Sequence, residues 1–425
     1  MRRGRHLAGA AIAALALTVA ACGGSDNSSS DQAAQNAAAT KKLEVFSWWT
    51  SGSEDAALKQ LFSAYKTADP GVAITNGAVA GGGGNNAQAV LQTRLQGNNP
   101  PDSWQTHPGQ AISQFVDAGY LADLTSVEKK LGDVMPKALV DAQSKDGKVY
   151  GISTGAHRGN VLWYSTKALK QAGVSEPGKD YTFDQFVADL AKLKAAGVTP
   201  LCVGAKDPFA APQLFENTLL GVIGPEKWAA ITSGKTGWDD PQVKQAAANY
   251  VKLLPYFDPD ASASTWDQAT KRIASGQCGF ESMGDWAYGE LTKAGAKEGT
   301  DFGYVPHPGT NGSFVLVVDT FVVAKNAKNI KNAMDWVQSI ASKDAQLAFN
   351  REKGSTPVRN DVDVSSYPKY QQEAAKAYRS DKPVWSIAHG QATSPQFQQS
   401  FYDAVTQFTQ SKDVNAFVQA LQSAA

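Results

Sequence analysis

A surplus of charge of either sign is missing from this chain: 40 basic residues face 40 acidic ones. Without a basic excess there is no electrostatic footprint for a nucleic-acid backbone, and no such partner is expected. Histidine and cysteine are scarce, five and three in 425 residues. None falls into a Cys-x-x-Cys or paired-His spacing, so no metal site is expected, and no other cofactor. Beyond a first apolar run of about 15 residues, no stretch approaches the ~20 that a membrane-spanning helix needs. Internal repeats are absent. The Gly-Lys-Thr at 234–236 lacks the rest of a phosphate-binding loop, because Ala229 stands where that motif needs Gly and no strand leads in. It reads as a turn.

What is present begins with an export leader. Arg2, Arg3 and Arg5 form a basic n-region ahead of the apolar run at 7–21, which is too short to span. The run closes on Val19-Ala20-Ala21-Cys22, which resembles the bacterial lipobox, where the leader is cut before a Cys that carries a diacylglycerol. Cys22 is the expected lipidation site, and two or three acyl chains make a permanent anchor where a single one is marginal. Residues 1–22 are thus leader and lipobox. Residues 23–40, rich in Gly, Ser, Asn, Gln and Ala without apolar periodicity, form a flexible tether. Loss of three arginines leaves the mature chain slightly acidic. About 385 residues follow the tether, too many for one ordinary core, which favours two domains.

The body opens with a strand at 43–47 and a helix over 54–68, where Ala57, Leu58, Leu61, Phe62 and Tyr65 recur at helical spacing until Asp69-Pro70-Gly71 stops it. Strand 72–75, helix 87–96 and strand 102–106 follow. This βαβαβ order predicts an α/β fold with a largely parallel sheet, whose ligands collect beyond the carboxyl ends of the strands. A second series places strands at 161–164, 200–203 and 279–283 and helices over 182–196, 240–254 and 266–275. The apolar stretch 314–323 reads as one strand or two, and helices over 330–342, 371–378 and 395–409 complete the C-terminus.

Several tryptophans stand beside carboxylates, amides or imidazoles: Trp48 and Trp49, Trp104 with Gln105 and His107, Trp266 before Asp267, and Trp286 after Asp285. This suits a sugar ring, whose C–H face packs on an aromatic plane while polar neighbours pair with its hydroxyls. Trp163 in an apolar strand and Trp336 on an apolar helix face read as core. Asp319 puts a carboxylate into an apolar strand, which is costly unless it is paired or meets a ligand. Lys353 is a partner within reach of the same cleft. His107 and His389 stand in loops with Gly or Pro, where an isolated His is more often solvated than a ligand, whereas His157 stays open between a hinge hydrogen bond and the site. The four glycines at 81–84 read as a flexible loop edging the cleft. Cys202 and Cys278, in strand-like runs of an exported chain, either bridge or stay as two buried thiols.

Taken in order, Phe46-Ser-Trp-Trp, Asp102-Ser-Trp-Gln-Thr-His, His157-Arg-Gly-Asn-Val-Leu-Trp-Tyr, Phe280-Glu-Ser-Met-Gly-Asp-Trp and Ala388-His-Gly carry a family resemblance. They resemble the extracytoplasmic substrate-binding proteins of carbohydrate ABC transporters, glucose/mannose-binding type, and the likeness covers nearly the whole mature chain. It implies a two-lobed, periplasmic-binding-protein-like (type II) α/β fold with the sugar in the cleft. Lobe 1 would comprise 41–152 and 306–345, and lobe 2 153–305 and 346–425. Carried over by position, the implied sugar contacts are Trp48, Trp49, Glu54, Gln105, His107, Trp266, Trp286, Asp319, Lys353 and His389. The loop before Glu54 is one residue longer than the family's, which leaves Asp55 as its alternative. The resemblance further implies a monomeric, non-enzymatic receptor held outside the cytoplasm by its lipid anchor, capturing a monosaccharide such as glucose or mannose for an ABC permease. Two other readings stay open: an oligosaccharide or other polyol as cargo, and a glycoside hydrolase with Asp285 and Asp319 as its carboxylate pair.

Overall fold

The computed structural model describes residues 40–50 and 52–425. The leader, Cys22 and the tether, apart from Thr40, lie outside the described residues. Along the chain the strands of the two larger sheets are β1 (Lys42–Phe46), β2 (Ala73–Asn76), β3 (Ser103–Thr106), β4 (Ile152–Arg158), β5 (Val161–Ser165), β6 (Thr199–Leu201), β7 (Cys278–Ser282), β8 (Phe302–Pro306), β9 (Ser313–Val323) and β10 (Lys382–Trp385). The helices that bear on the site are α1 (Gly52–Ala68), α2 (Asn85–Gln96), α3 (Ala210–Thr232), α4 (Trp266–Ser275), α5 (Trp286–Lys293), α6 (Lys343–Lys353) and α7 (Pro395–Ser411). Among the described residues no helix is long and apolar enough to cross a membrane.

β1 pairs in parallel with β2 and β3, which is the βαβαβ opening read from the apolar spacing. Beyond β3 the expectation of a largely parallel sheet needs correction. β9 runs antiparallel to both β3 and β4, and parallel to β10. No crossover helix brings β9 back alongside β3, so nothing constrains the two to run the same way. The second sheet, ordered β8-β5-β7-β6, is also mixed, with only β6 and β7 parallel. The stretch at 314–323 is one strand, and every residue of β9 is buried.

Two main cores result. One gathers Leu43, Val45, Leu58, Trp104 and Ile152 with residues from far along the chain, Phe321, Trp336 and Phe349. The other gathers Leu162, Trp163, Phe215 and Phe280 with Phe401 and Phe417. β9 belongs to both, since Val315 and Val317 pack into the second core and Phe321, Val322 and Val323 into the first. Trp163 and Trp336 are fully buried, as core residues should be. Cys202 and Cys278 are bridged, with Cα atoms 6.1 Å apart beside the parallel pair β6–β7. That separation is normal for a disulfide and resolves the choice left open between bridge and free thiols.

Candidate ligand-binding site

A cavity lies between the two cores. From the first-core side it is lined by Trp48 and Trp49 in the loop after β1, Glu54 in the first turn of α1, Gly83, and His107 just past β3. Facing them are Phe209 ahead of α3, Trp266 and Trp286 at the starts of α4 and α5, and His389 beyond β10. His157, Val317, Asp319 and Lys353 complete the wall. All the expected contact residues line this cavity except Gln105. That side chain stands behind it, donating from Nε2 to Asp319 Oδ1 at 3.0 Å and accepting the Trp48 N–H at 3.4 Å.

Local structure aims these groups. Val317 and Asp319, two residues apart on β9, share a face. The pairing of β9 with β4 slips register between Asp319 and Thr320, where Thr154 of β4 is the extra residue of a bulge. At the start of α4, Gln268 Oε1 accepts the Thr265 N–H at 2.9 Å, which fixes Trp266 as the first helical residue. Lys353 sits with Nζ 5.4 Å from the Trp49 ring centroid and 5.9 Å from that of Trp286, a cation over two aromatic faces.

The charges form one connected set. Lys353 Nζ donates to Glu54 Oε1 at 2.8 Å, while Asp55 turns outward to Lys59 at 2.6 Å. Glu54 is therefore the carboxylate at the cavity. Burial raises its pKa, and the Lys353 charge offsets only part of that. His157 lies between two carboxylates, Nδ1 at 2.6 Å from Asp285 Oδ1 and Nε2 at 2.8 Å from Asp319 Oδ2. Burial pushes its pKa down, but Asp285 and Asp319 outweigh burial and hold it above the ordinary value, as befits a ring that donates from both nitrogens. Burial alone would raise Asp319 as well. Its bond to His157 and the charges of His157 and Lys353 bring it instead to about 2. Asp319 is thus ionised, with one protein donor on each oxygen and lone pairs to spare for ligand hydroxyls. Asp285 is fully buried, accepts the Arg158 N–H at 2.9 Å with its other oxygen, and is turned to His157, away from the cavity. His157, left open from the sequence, serves both as a link between β4 and Asp285 and as part of the cavity wall.

The remaining imidazoles are neutral. His107 Nδ1 is 2.8 Å from the Val318 carbonyl, which can only accept, so Nδ1 carries the hydrogen and Nε2 a lone pair. Burial keeps its pKa low. His389 Nδ1 is 3.0 Å from Ser386 Oγ, and burial together with the neighbouring His107 and His157 holds its pKa well below the ordinary value.

Two carboxylates bridge the two sides of the cavity. Asp207 accepts the Gly82 N–H at 3.1 Å with one oxygen and the Trp266 N–H at 2.8 Å with the other. Glu290 Oε1 accepts from Ser53, at 2.5 Å from the amide and 2.8 Å from the hydroxyl. The glycines at 81–84 are wedged into this contact. A Cβ on Gly84 would lie 2.7 Å from the Trp48 ring, and one on Gly83 2.9 Å from the Phe209 ring. Phe209, Asp207 and Glu290 escape a reading of the sequence, since their only local signal is the Asp207-Pro208 turn.

Residues 49–347 match the family model described as bacterial extracellular solute-binding protein. An uncharacterised ABC transporter extracellular-binding protein of Pyrococcus horikoshii is 33% identical over 378 residues, covering 88% of this chain and 85% of its own. A probable sugar-binding periplasmic protein of Brucella melitensis is 33% identical over 380 residues, covering 87% and 88%. Among solved structures, the bacterial solute receptor AcbH, described as having an exclusive preference for β-D-galactopyranose, superposes with a TM-score of 0.79 at 20% identity, over 90% of this chain and 97% of that one. Such neighbours share the two-lobed α/β architecture, with its cleft between lobes. The chain belongs to the family of bacterial extracellular solute-binding proteins.

Proposed function

We propose that the protein is the sugar-capturing receptor of an ABC importer, anchored outside the cytoplasm through a lipid on Cys22, and that its cargo is a monosaccharide. The observation that carries this is the wall of the cavity: four tryptophans, two carboxylates, a lysine and neutral imidazoles, all facing one space. The opposing walls stand close, with the His107 and His389 ring centroids 5.9 Å apart, which favours one pyranose over a chain of them. Aromatic faces take the ring, and ionised Asp319 with Lys353 takes adjacent hydroxyls through charge-assisted bonds. A sugar with a misplaced hydroxyl leaves one of these groups buried and unpaired, which is how such a site selects. In this reading the lobes divide as 41–152 with 306–345 and 153–305 with 346–425, and the closed, loaded form is what a permease recognises. Glucose and mannose head the candidates. The sugar-binding relative and the galactopyranose receptor support a sugar without choosing among them.

Isothermal titration with D-glucose, D-mannose, D-galactose, D-xylose, maltose and raffinose tests the reading. Heat from at least one monosaccharide and none from raffinose is expected; silence from the whole panel would defeat it. Incubation with aryl glycosides is expected to release no aryl alcohol, because this reading includes no turnover.

A further inference from the structure

We propose that Glu216 is a positioning residue for the His389 contact, its protonation state selecting through the Ser386 hydroxyl which nitrogen of His389 carries the hydrogen. It thereby decides whether His389 accepts from a ligand hydroxyl or donates to it. The inference rests on the ligand-binding reading above only for its consequence, not for the relay itself.

Glu216 lies on α3, fully buried and away from the cavity wall. Its Oε2 accepts the amides of Ile387 at 2.6 Å and Ala388 at 2.9 Å, which pins the loop bearing His389. Among the described residues the partner of Oε1 is Ser386 Oγ at 2.9 Å, which also lies 3.1 Å from Oε2. Ser386 Oγ in turn accepts the His389 N–H at 3.1 Å and lies 3.0 Å from His389 Nδ1. One hydroxyl hydrogen thus stands between two acceptors. When Glu216 is ionised, the Ser386 hydrogen goes to the carboxylate, His389 Nδ1–H donates to Oγ, and Nε2 is a bare acceptor. When Oε1 takes up a proton it becomes the donor to Oγ, and the Ser386 hydrogen turns to His389 Nδ1. The ring then releases its Nδ1 proton to solvent and gains one at Nε2. The net change is one proton bound by Glu216, and His389 stays neutral.

The surroundings allow this to happen near neutrality. Burial raises the Glu216 pKa to about 7 against the bonds from Ala388, Ser386 and Ile387. Tyr402 of α7, whose hydroxyl bonds the Ala388 carbonyl, is the titratable group beside it. His389 itself faces His107, His157, Asp319 and Lys353. Its pKa stays low enough that a tautomer shift, not protonation, is what the relay controls.

Long-range ¹H–¹⁵N spectra of the histidine rings read this without any sugar. In the wild-type protein His389 should carry its hydrogen on Nδ1 at alkaline pH and shift to Nε2 on acidification through neutrality. Glu216→Gln reproduces the protonated acid, its amide donating to Ser386 Oγ while its oxygen keeps both loop amides, so it should hold the Nε2–H form at every pH. Ser386→Ala in that background should abolish the difference. A deoxyfluoro-D-glucose, whose fluorine cannot donate, reads the consequence. At the position that meets His389, its deficit against D-glucose should shrink by about tenfold in Glu216→Gln at alkaline pH. The same His389 tautomer in wild type and Glu216→Gln, with both variants folded by circular dichroism, would overturn the proposal. A shifted tautomer with no sugar bound by any variant would uphold the relay while defeating the sugar reading.

Discussion

Asp319 shows how far a single residue can be understood from its neighbours in sequence. A carboxylate among Val315, Leu316, Val317 and Val318 signals a purpose, and the structure supplies two donors and a cavity. Its removal deletes the charge that both Lys353 and the His157 imidazolium face. Asp319→Ala and Trp286→Ala are each expected to weaken sugar binding at least about 100-fold by titration, since each charge-assisted bond is worth ~1.5–3 kcal/mol and a buried aromatic face about as much. Glu216 is the opposite case, illegible as one acid inside an apolar helix. Its folded pKa of about 7 lies above the ordinary 4.5. The folded state therefore holds a proton that the unfolded chain has already released, and the associated stability is full below the lower value and lost as pH rises through the upper one. The difference is on the order of 3 kcal/mol. Urea midpoints of Glu216→Gln should accordingly change less than those of wild type between pH ~5 and ~8, with the wild type losing on the alkaline side. Asp319, held at about 2, slopes the other way: its contribution is present above the ordinary 3.8 and lost as pH falls through 2.

Among elements, legibility followed periodicity. α1 and α4 carry one apolar face each, and their expected spans of 54–68 and 266–275 nearly coincide with Gly52–Ala68 and Trp266–Ser275. α3 leaves no periodic signal in the sequence, because every residue from Pro212 to Leu220 is buried and no polar face sets a period. β10, Lys-Pro-Val-Trp, hides for a different reason, as an edge strand of four residues with a proline in it. Strand direction in the mixed sheet was beyond reach, since pairing between β3 and β9 joins residues some two hundred positions apart. The glycine turn was read as a flexible loop, yet it is a close-packed element. Gly84 has φ +82, a conformation that L side chains resist, and no room for a methyl beside Trp48. Gly84→Ala should displace the Trp48 ring and lower sugar affinity about tenfold or more, while leaving the melting temperature of the second core's unfolding unchanged. Calorimetry alongside titration separates the two effects.

On the scale of the whole molecule, Asp207 and Glu290 reach from the second-core side to the Gly82 and Ser53 amides of the first, so the contact depends on the two halves being closed together. Bonds made only in the closed form slow escape without assisting encounter. Asp207→Ala and Glu290→Ala should each raise the dissociation rate of bound sugar about tenfold and the double variant more, with association within a factor of about two, as stopped-flow tryptophan fluorescence would show. Neither residue has a motif, and the fact that both halves are assembled from separated stretches of chain came into view only through family resemblance.

The shared strand β9 has a further consequence, for the order in which the protein comes into being. β1 and β3 are made early, but the strand that pairs with β3, together with Trp336 and Phe349 of their core, is made some two hundred residues later. An unfinished chain is therefore not half a protein: its leading segment stays without its partners until the trailing third exists. Such a long delay between synthesis and pairing keeps the nascent chain extended and threadable, with contacts that close late and slowly. Ribosome-held chains that stop short of residue 313 should be cut by protease between residues 42 and 106, and chains that run well past 353 should resist cutting there.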